Sequence, residues 1–148
     1  MPRLSGILRA EGALVSVEIG HSRSEAQRLR NAARPIPAPV SSLALLDTGA
    51  ECSCVDPKAL RALGLPLANI GMVNIPALGG LTATTQLEAC LTVVHPSGDA
   101  GRNLVVDGLL VAEALLTALG YQVLIGRDVL SRCRFLYDGP SGRFKLSY

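Results

Sequence analysis

The sequence predicts a mostly β chain, and three stretches carry that expectation. In "ALVSVEI", Val15, Val17 and Ile19 alternate with Ser16 and Glu18, the period-two pattern of a half-buried strand. "NIGMVNIPALGGLTATTQLEACLTVVH", residues 69–95, reads as a long hairpin with "ALGGL" at its tip. "RFLYDGPSGRFKLSY", residues 134–148, reads as a closing hairpin that turns through Asp138, Gly139, Pro140, Ser141 and Gly142.

The remaining elements follow in order. "SRSEAQRLRNAAR" is polar and Arg-rich, which predicts a helical turn or two with a solvated face. "PIPAPV" must be extended, because residues before proline avoid the helix region. Residues 21–41 therefore form a polar, Pro-rich insertion or connector inside a single domain spanning 1–148. Residues 42–46 make the next strand and run into Asp47. "VDPKALRALGLP" is a short helix: Asp56 suits the cap, Pro57 the first position and Gly64 the end. Beyond the turn "PSGDAG", "NLVVDGLLV" is a strand, "QVLIG" a short apolar strand, and "RDVLSRC" a helical turn or two.

Composition narrows the function classes. At 148 residues the chain is long enough for one well-packed core and too short for two domains of usual size. A net charge of +2, 3% aromatic residues and no Trp argue against a nucleic-acid partner, which needs basic surface and stacking platforms. Charged residues, at 18%, fall below the roughly 25% usual for soluble domains, as expected of a chain that hides surface in an oligomer. Cys52, Cys54, Cys90 and Cys133 form no CxxC pair, and His21 and His95 lie far from them, so no metal or other cofactor is expected. Cys52 and Cys54 read as packing residues, Cys90 and Cys133 as core, and both histidines as solvated loop residues. The apolar run near residue 115 is broken by Glu113, Thr117, Gln122 and glycines, so no membrane association is expected. The expectation is a cytoplasmic protein with reduced thiols.

The chemistry centres on "LALLDTGAECSCV", residues 43–55. An apolar strand ends there on a carboxylate, Asp47. Gly49 lets the backbone turn closely and bring its N–H to the acid, and Thr48 can lock the loop by a hydrogen bond. Alone, the tetrapeptide would also serve as an Asx-type turn, with Asp47 capping its own backbone. Some 75 residues later comes "LIGRDVL", two apolar residues, a glycine and an arginine before a helix.

Taken in this order, "LLDTGA", a glycine-containing hairpin and "LIGRDVL" resemble the retropepsin-like aspartic proteases, in the bacterial rather than the viral branch. The resemblance runs from about residue 11 to 148. It implies a closed β-barrel with a flap hairpin and one or two short helices. It also implies roles, position by position. Asp47 matches the catalytic acid, with Thr48, Gly49 and Ala50 completing its loop, and Thr48 the threonine that grips its mate across a dimer. Leu78, Gly79, Gly80 and Leu81 fall at the flap tip over the substrate. Gly126 matches the glycine whose strand packs behind the loop, and Arg127 an arginine that pairs with Glu51. Ile75, Ala77, Val123 and Leu124, with the flap leucines, suggest apolar pocket walls.

Such chemistry needs two carboxylates sharing a proton, because like charges so close cannot both ionise. This chain holds one Asp-Thr-Gly, and "DAG" at 99–101 follows a turn rather than an apolar strand. The expected function is therefore an aspartic endopeptidase acting on peptides as a homodimer. The rival is a non-catalytic peptide-binding or dimerisation module on the same fold.

Overall fold

The structure is a computed structural model describing residues 1–148, apart from the side chains of Asn69 and Ala77. Six strands close into a barrel in the order β2 (Leu14–Gly20), β3 (Val40–Leu46), β8 (Val123–Ile125), β4 (Cys54–Val55), β7 (Leu104–Glu113) and β6 (Gly80–Val93). Closure comes from the antiparallel pairing of β2 with the end of β6, Val17 opposite Val93. The fourteen residues of β6 serve two ends. Its first half pairs with β5 (Leu67–Ile75) as a hairpin, and its second half is a barrel stave between β7 and β2.

The barrel interior is aliphatic. Val15, Val17, Ile19, Leu91, Val93, Val111 and Ile125 are all buried within it. Their β-branched and aliphatic side chains fit a pleated, inward-facing surface. A second apolar cluster lies under the flap: Ala50, Cys54, Val73, Ile75, Leu116, Tyr121 and Leu124. In β5 the pleat sends Val73 and Ile75 into this cluster, while Met72 stays 57% exposed.

A separate three-stranded sheet joins β1 (Arg3–Ile7), β10 (Arg143–Ser147) and β9 (Arg134–Asp138), with β10 in the middle. Phe144 and Leu146 of β10 are buried, and Phe144 meets Phe135 edge-to-face at 6.3 Å. His95 ties this sheet to the barrel. The expectation that it is solvated fails: it is 6% exposed. Its Nδ1 accepts from Ser97 N at 3.1 Å, which leaves Nε2–H to donate to Arg3 O at 2.9 Å. Cys90 and Cys133, expected in the core, are half-buried.

Three α-helices decorate the barrel. The shortest two are α2 (Pro57–Arg61) and α3 (Arg127–Leu130). Asp56 caps α2 through Lys58 N at 2.9 Å, Pro57 occupies the first position, and Gly64 follows the end at φ 58°. The nine residues of α1 (Arg23–Asn31) make it longer than the sequence suggested, because Ala26 and Leu29 bury an apolar stripe under the arginines. Ser22 caps it through Glu25 N at 3.2 Å.

The exit from α1 is strained. Ala33 sits at φ 54°, the only non-glycine at positive φ among the described residues. The left-handed turn lets Arg34 N donate back to Leu29 O at 2.8 Å and closes the helix. Glycine takes this conformation without the Cβ clash. Ala33→Gly is expected to raise the unfolding free energy by about 1 kcal/mol, read as a higher urea midpoint. A lower midpoint would mean that the Ala33 methyl contributes more than its backbone loses.

Candidate functional site

Asp47 stands where β3 stops. Its N–H donates to Ile125 O at 2.9 Å, continuing the parallel β3–β8 ladder by one residue. The chain then turns sharply and crosses the end of β8 to enter β4 on the other side, since β3 and β4 both pair with β8. Gly49 N donates to Asp47 Oδ1 at 2.8 Å, so the carboxylate is oriented by its own loop. Asp47 is half-buried, Thr48 and Gly49 are exposed, and Ala50 is fully buried in the cluster under the flap.

The crossing leaves no room at Gly126. A Cβ there would lie 2.6 Å from the backbone C and O of Cys52 and 3.0 Å from Ala50 O. Its φ of −92° is ordinary, so close approach, not backbone conformation, requires the glycine. Gly126 then opens α3, whose first residue ties back: Arg127 N donates to Ala50 O at 2.9 Å.

The expected Arg127–Glu51 pair does not form. The Arg127 guanidinium is exposed, and its Nη1 donates to the carbonyls of Thr48 at 2.9 Å and Gly49 at 3.0 Å. Those two carbonyls are left free by the tight turn, and they lie nearer than the Glu51 carboxylate. Glu51 faces the flap instead: its Oε1 accepts from Asn74 N at 2.8 Å while Glu51 N donates to Asn74 O at 3.3 Å. Both residues support the loop, one from below and one by joining it to the flap.

Sequence reading missed the buried tie beneath them. Asp128 Oδ2 accepts from Ser53 N and Oδ1 from Ser53 Oγ, both at 2.8 Å, and Gly126 N donates to Ser53 Oγ at 3.1 Å. Ser53 is fully buried. The available signal was Asp128 itself, an acid in the first turn of a helix, where backbone N–H groups seek acceptors. Tyr121 was missed as well. It is 5% exposed under the loop, and burial first, then the negative charge of Asp47, pushes its phenol up.

The flap tip turns through a 3₁₀ segment, Pro76–Leu78, then Gly79 at φ 97° and Gly80 at φ 100°. Leu78 packs back onto the cluster under the Asp47 loop, and Leu81 is 68% exposed. Three expected wall residues are instead core: Ile75, Val123 and Leu124 are 1% exposed or less. They belong to short segments whose every side chain meets another element, so apolar character there marked packing. The Ala77 side chain lies outside the described residues. Cys52 and Cys54 pack in the same cluster, as expected. The Cys54 thiol favours the Cys52 thiolate and so lowers the Cys52 pKa, while that same bond, with burial, pushes the Cys54 thiol up.

Among the described residues no group of three His, Cys, Asp or Glu could hold a metal ion, and no helix is long and apolar enough to cross a membrane. No protein-family model matches the chain, and no curated protein matches it.

Two outcomes follow for the support beneath the loop. Asp128→Ala strands the buried Ser53 hydroxyl and N–H, which costs about 2–3 kcal/mol. Arg127→Ala removes exposed contacts worth about 1 kcal/mol or less. Chemical denaturation of both variants checks the order, and an equal or larger loss in Arg127→Ala would refute it.

Asp56 supplies a pH-dependent anchor. It is 2% exposed, and its Oδ2 accepts from Leu116 N at 2.8 Å and Thr117 N at 2.9 Å, fastening α2 to the loop above Tyr121. Burial pushes its carboxyl up, but the N–H groups of Lys58, Thr117 and Leu116 outweigh it and hold the pKa at about 2, against 3.8 unperturbed. A folded pKa below the unfolded one stabilises the fold above the unfolded value. Here that contribution, about 2 kcal/mol, is present above pH 4 and vanishes as pH falls towards 2. The stability difference between wild type and Asp56→Asn, measured against urea, should shrink over that window. A constant gap from pH 5 to pH 2 would contradict it.

Proposed function

We propose that the chain is an aspartic endopeptidase that works as a homodimer, each copy giving one Asp47 to a water-activating dyad. The observation that carries this reading is the setting of Asp47. A half-exposed carboxylate is held by Gly49 N–H on a loop pinned from below by Arg127 and Asp128 and from the flap by Glu51. A carboxylate that only capped a turn would need none of these supports. Asp47 also lines an open hollow of about 580 Å³, together with Gly12, Leu45, Thr48 and Phe135.

In this mechanism one Asp47 of the pair is ionised and takes a proton from a water between them, while the other is protonated and donates to the scissile carbonyl oxygen. Water oxygen bonds to the carbonyl carbon and gives a tetrahedral gem-diol. The proton taken from water then passes to the leaving nitrogen, a gem-diol hydroxyl returns its proton to the other Asp47 as the C–N bond breaks to give acid and amine, and the dyad again holds one shared proton. Thr48 is exposed beside Asp47, and in this reading it meets its counterpart across the two-fold axis.

The terminal sheet limits how two copies can join. In β10 both edges are already paired, so "RFKLSY" offers no free edge to a second chain. Any strand-to-strand contact made by this sheet falls to β1 or β9, where Ile7 and Tyr137 are 69% and 59% exposed. The four free cysteines support a reducing, cytoplasmic setting.

The test is cleavage of an unfolded protein by wild type and Asp47→Asn, with circular dichroism to confirm equal folding. Wild-type activity per chain should fall on dilution, and Asp47→Asn should lose about 10²–10⁴-fold in rate. Equal cleavage by both proteins would remove the protease reading. Tight peptide binding without cleavage by either would leave the binding module in its place.

A further inference from the structure

A second concave site lies away from Asp47, where the α1 insertion meets the end of α2. It is a hollow of about 320 Å³ whose lining includes His21, Arg28, Arg34 and Arg61. Against three guanidinium groups and an imidazole stands one carboxylate, Glu25, and that one is engaged. Arg28 Nε donates to Glu25 Oε2 at 2.8 Å and Arg28 Nη2 to Glu25 Oε1 at 2.6 Å. Arg34 lends Glu25 a longer-range attraction, and neither Arg34 nor Arg61 has a side-chain hydrogen-bond acceptor among the described residues.

Two further observations bear on this excess of positive charge. First, the backbone is strained at Ala33 to bring Arg34 to the rim, where Arg34 N closes the helix on Leu29 O. Second, the carbonyls that would attract these cations are already satisfied. Ala32 N, Ala33 N and Arg34 N donate to the last turns of α1, and Leu63 O beyond α2 accepts from His21 Nε2 at 2.5 Å. The acids at the far end of α1 are also taken: Glu88 accepts from Ser22 and Ser24, and Asp107 from Arg23 N.

We propose that this hollow binds a small, doubly charged oxyanion of the phosphate type. Two planar forks with free donors match tetrahedral oxygens bidentately, and the net local charge calls for at least two negative charges. Pro35 and Pro37 in its lining fix φ at two positions around it. The site joins the insertion to α2 and so would fasten residues 21–41 to the barrel when filled. It stands independently of whether Asp47 cleaves peptides.

The probe is inorganic phosphate, compared with citrate and chloride at matched ionic strength and pH 7.5, by thermal unfolding and calorimetric titration of the whole chain. Wild type should show a saturable rise in melting temperature, about 3 °C at tenfold excess over half-saturation. Arg34→Gln/Arg61→Gln, both exposed positions, should keep the melting temperature seen in chloride and lose the phosphate response at least tenfold in affinity. Arg143→Gln, an exposed arginine on the terminal sheet, should retain it. If the arginines only complement the ends of their own helices, the double variant loses stability equally in every anion, and the proposal fails. It fails also if chloride matches phosphate, if the double variant responds like wild type, or if citrate alone stabilises.

Discussion

The arrangement depends on one close approach, the passage of the Ala50–Cys52 backbone across the end of β8 at Gly126. With 2.6 Å between a would-be Cβ and that backbone, any larger residue must push the loop and the strand apart. The backbone itself would have to yield here, because no flexible side chain can move aside. Everything around Asp47 is referenced to this crossing. The β3–β8 ladder fixes where the acid leaves the sheet, and the Ser53–Asp128 tie fixes where the loop returns to it. The flap is positioned by the same loop, since Glu51 exchanges two hydrogen bonds with Asn74.

Much of this was legible in the sequence because it is local. Asp56, Pro57 and Gly64 mark both ends of α2, as capping chemistry acts within a few residues. Gly79 and Gly80 mark the flap tip because their positive φ excludes most other residues. The strand ending on Asp47 was visible as an apolar run meeting an acid. What stayed hidden was decided by partners far along the chain. Two residues of β4 are too few to show any period. Arg127 was expected to pair with Glu51 only because the resemblance implied it, but two bare carbonyls of a tight turn lay closer. His95 sits in a polar stretch, and only the fold brings Arg3 O to its ring. The apolar residues of β8 suggested pocket walls, yet strands buried on both faces carry the same composition.

Two kinds of polar burial divide the structure. Ser53, Asp56 and His95 are each buried and each fully engaged, so they fix geometry. Among the exposed arginines of the insertion, Arg28 is held by Glu25 and Arg30 by Gln27, while Arg34 has no side-chain acceptor among the described residues. The carboxylate of Asp47 and the exposed Arg34 therefore belong to separate regions, one after the end of β3 and the other before its start.

The sheet β1–β10–β9 places Arg3 opposite Ser147. During synthesis on the ribosome the first strand therefore has no mate until residues 143–147 have emerged. All six barrel strands lie within residues 14–125, so the closed barrel and the Asp47 crossing can assemble before that mate exists. Gly6, which lies under the Phe144 ring, stays uncovered until then. The order of emergence thus separates the making of the barrel from the fastening of β1, for which β10 acts as a latch.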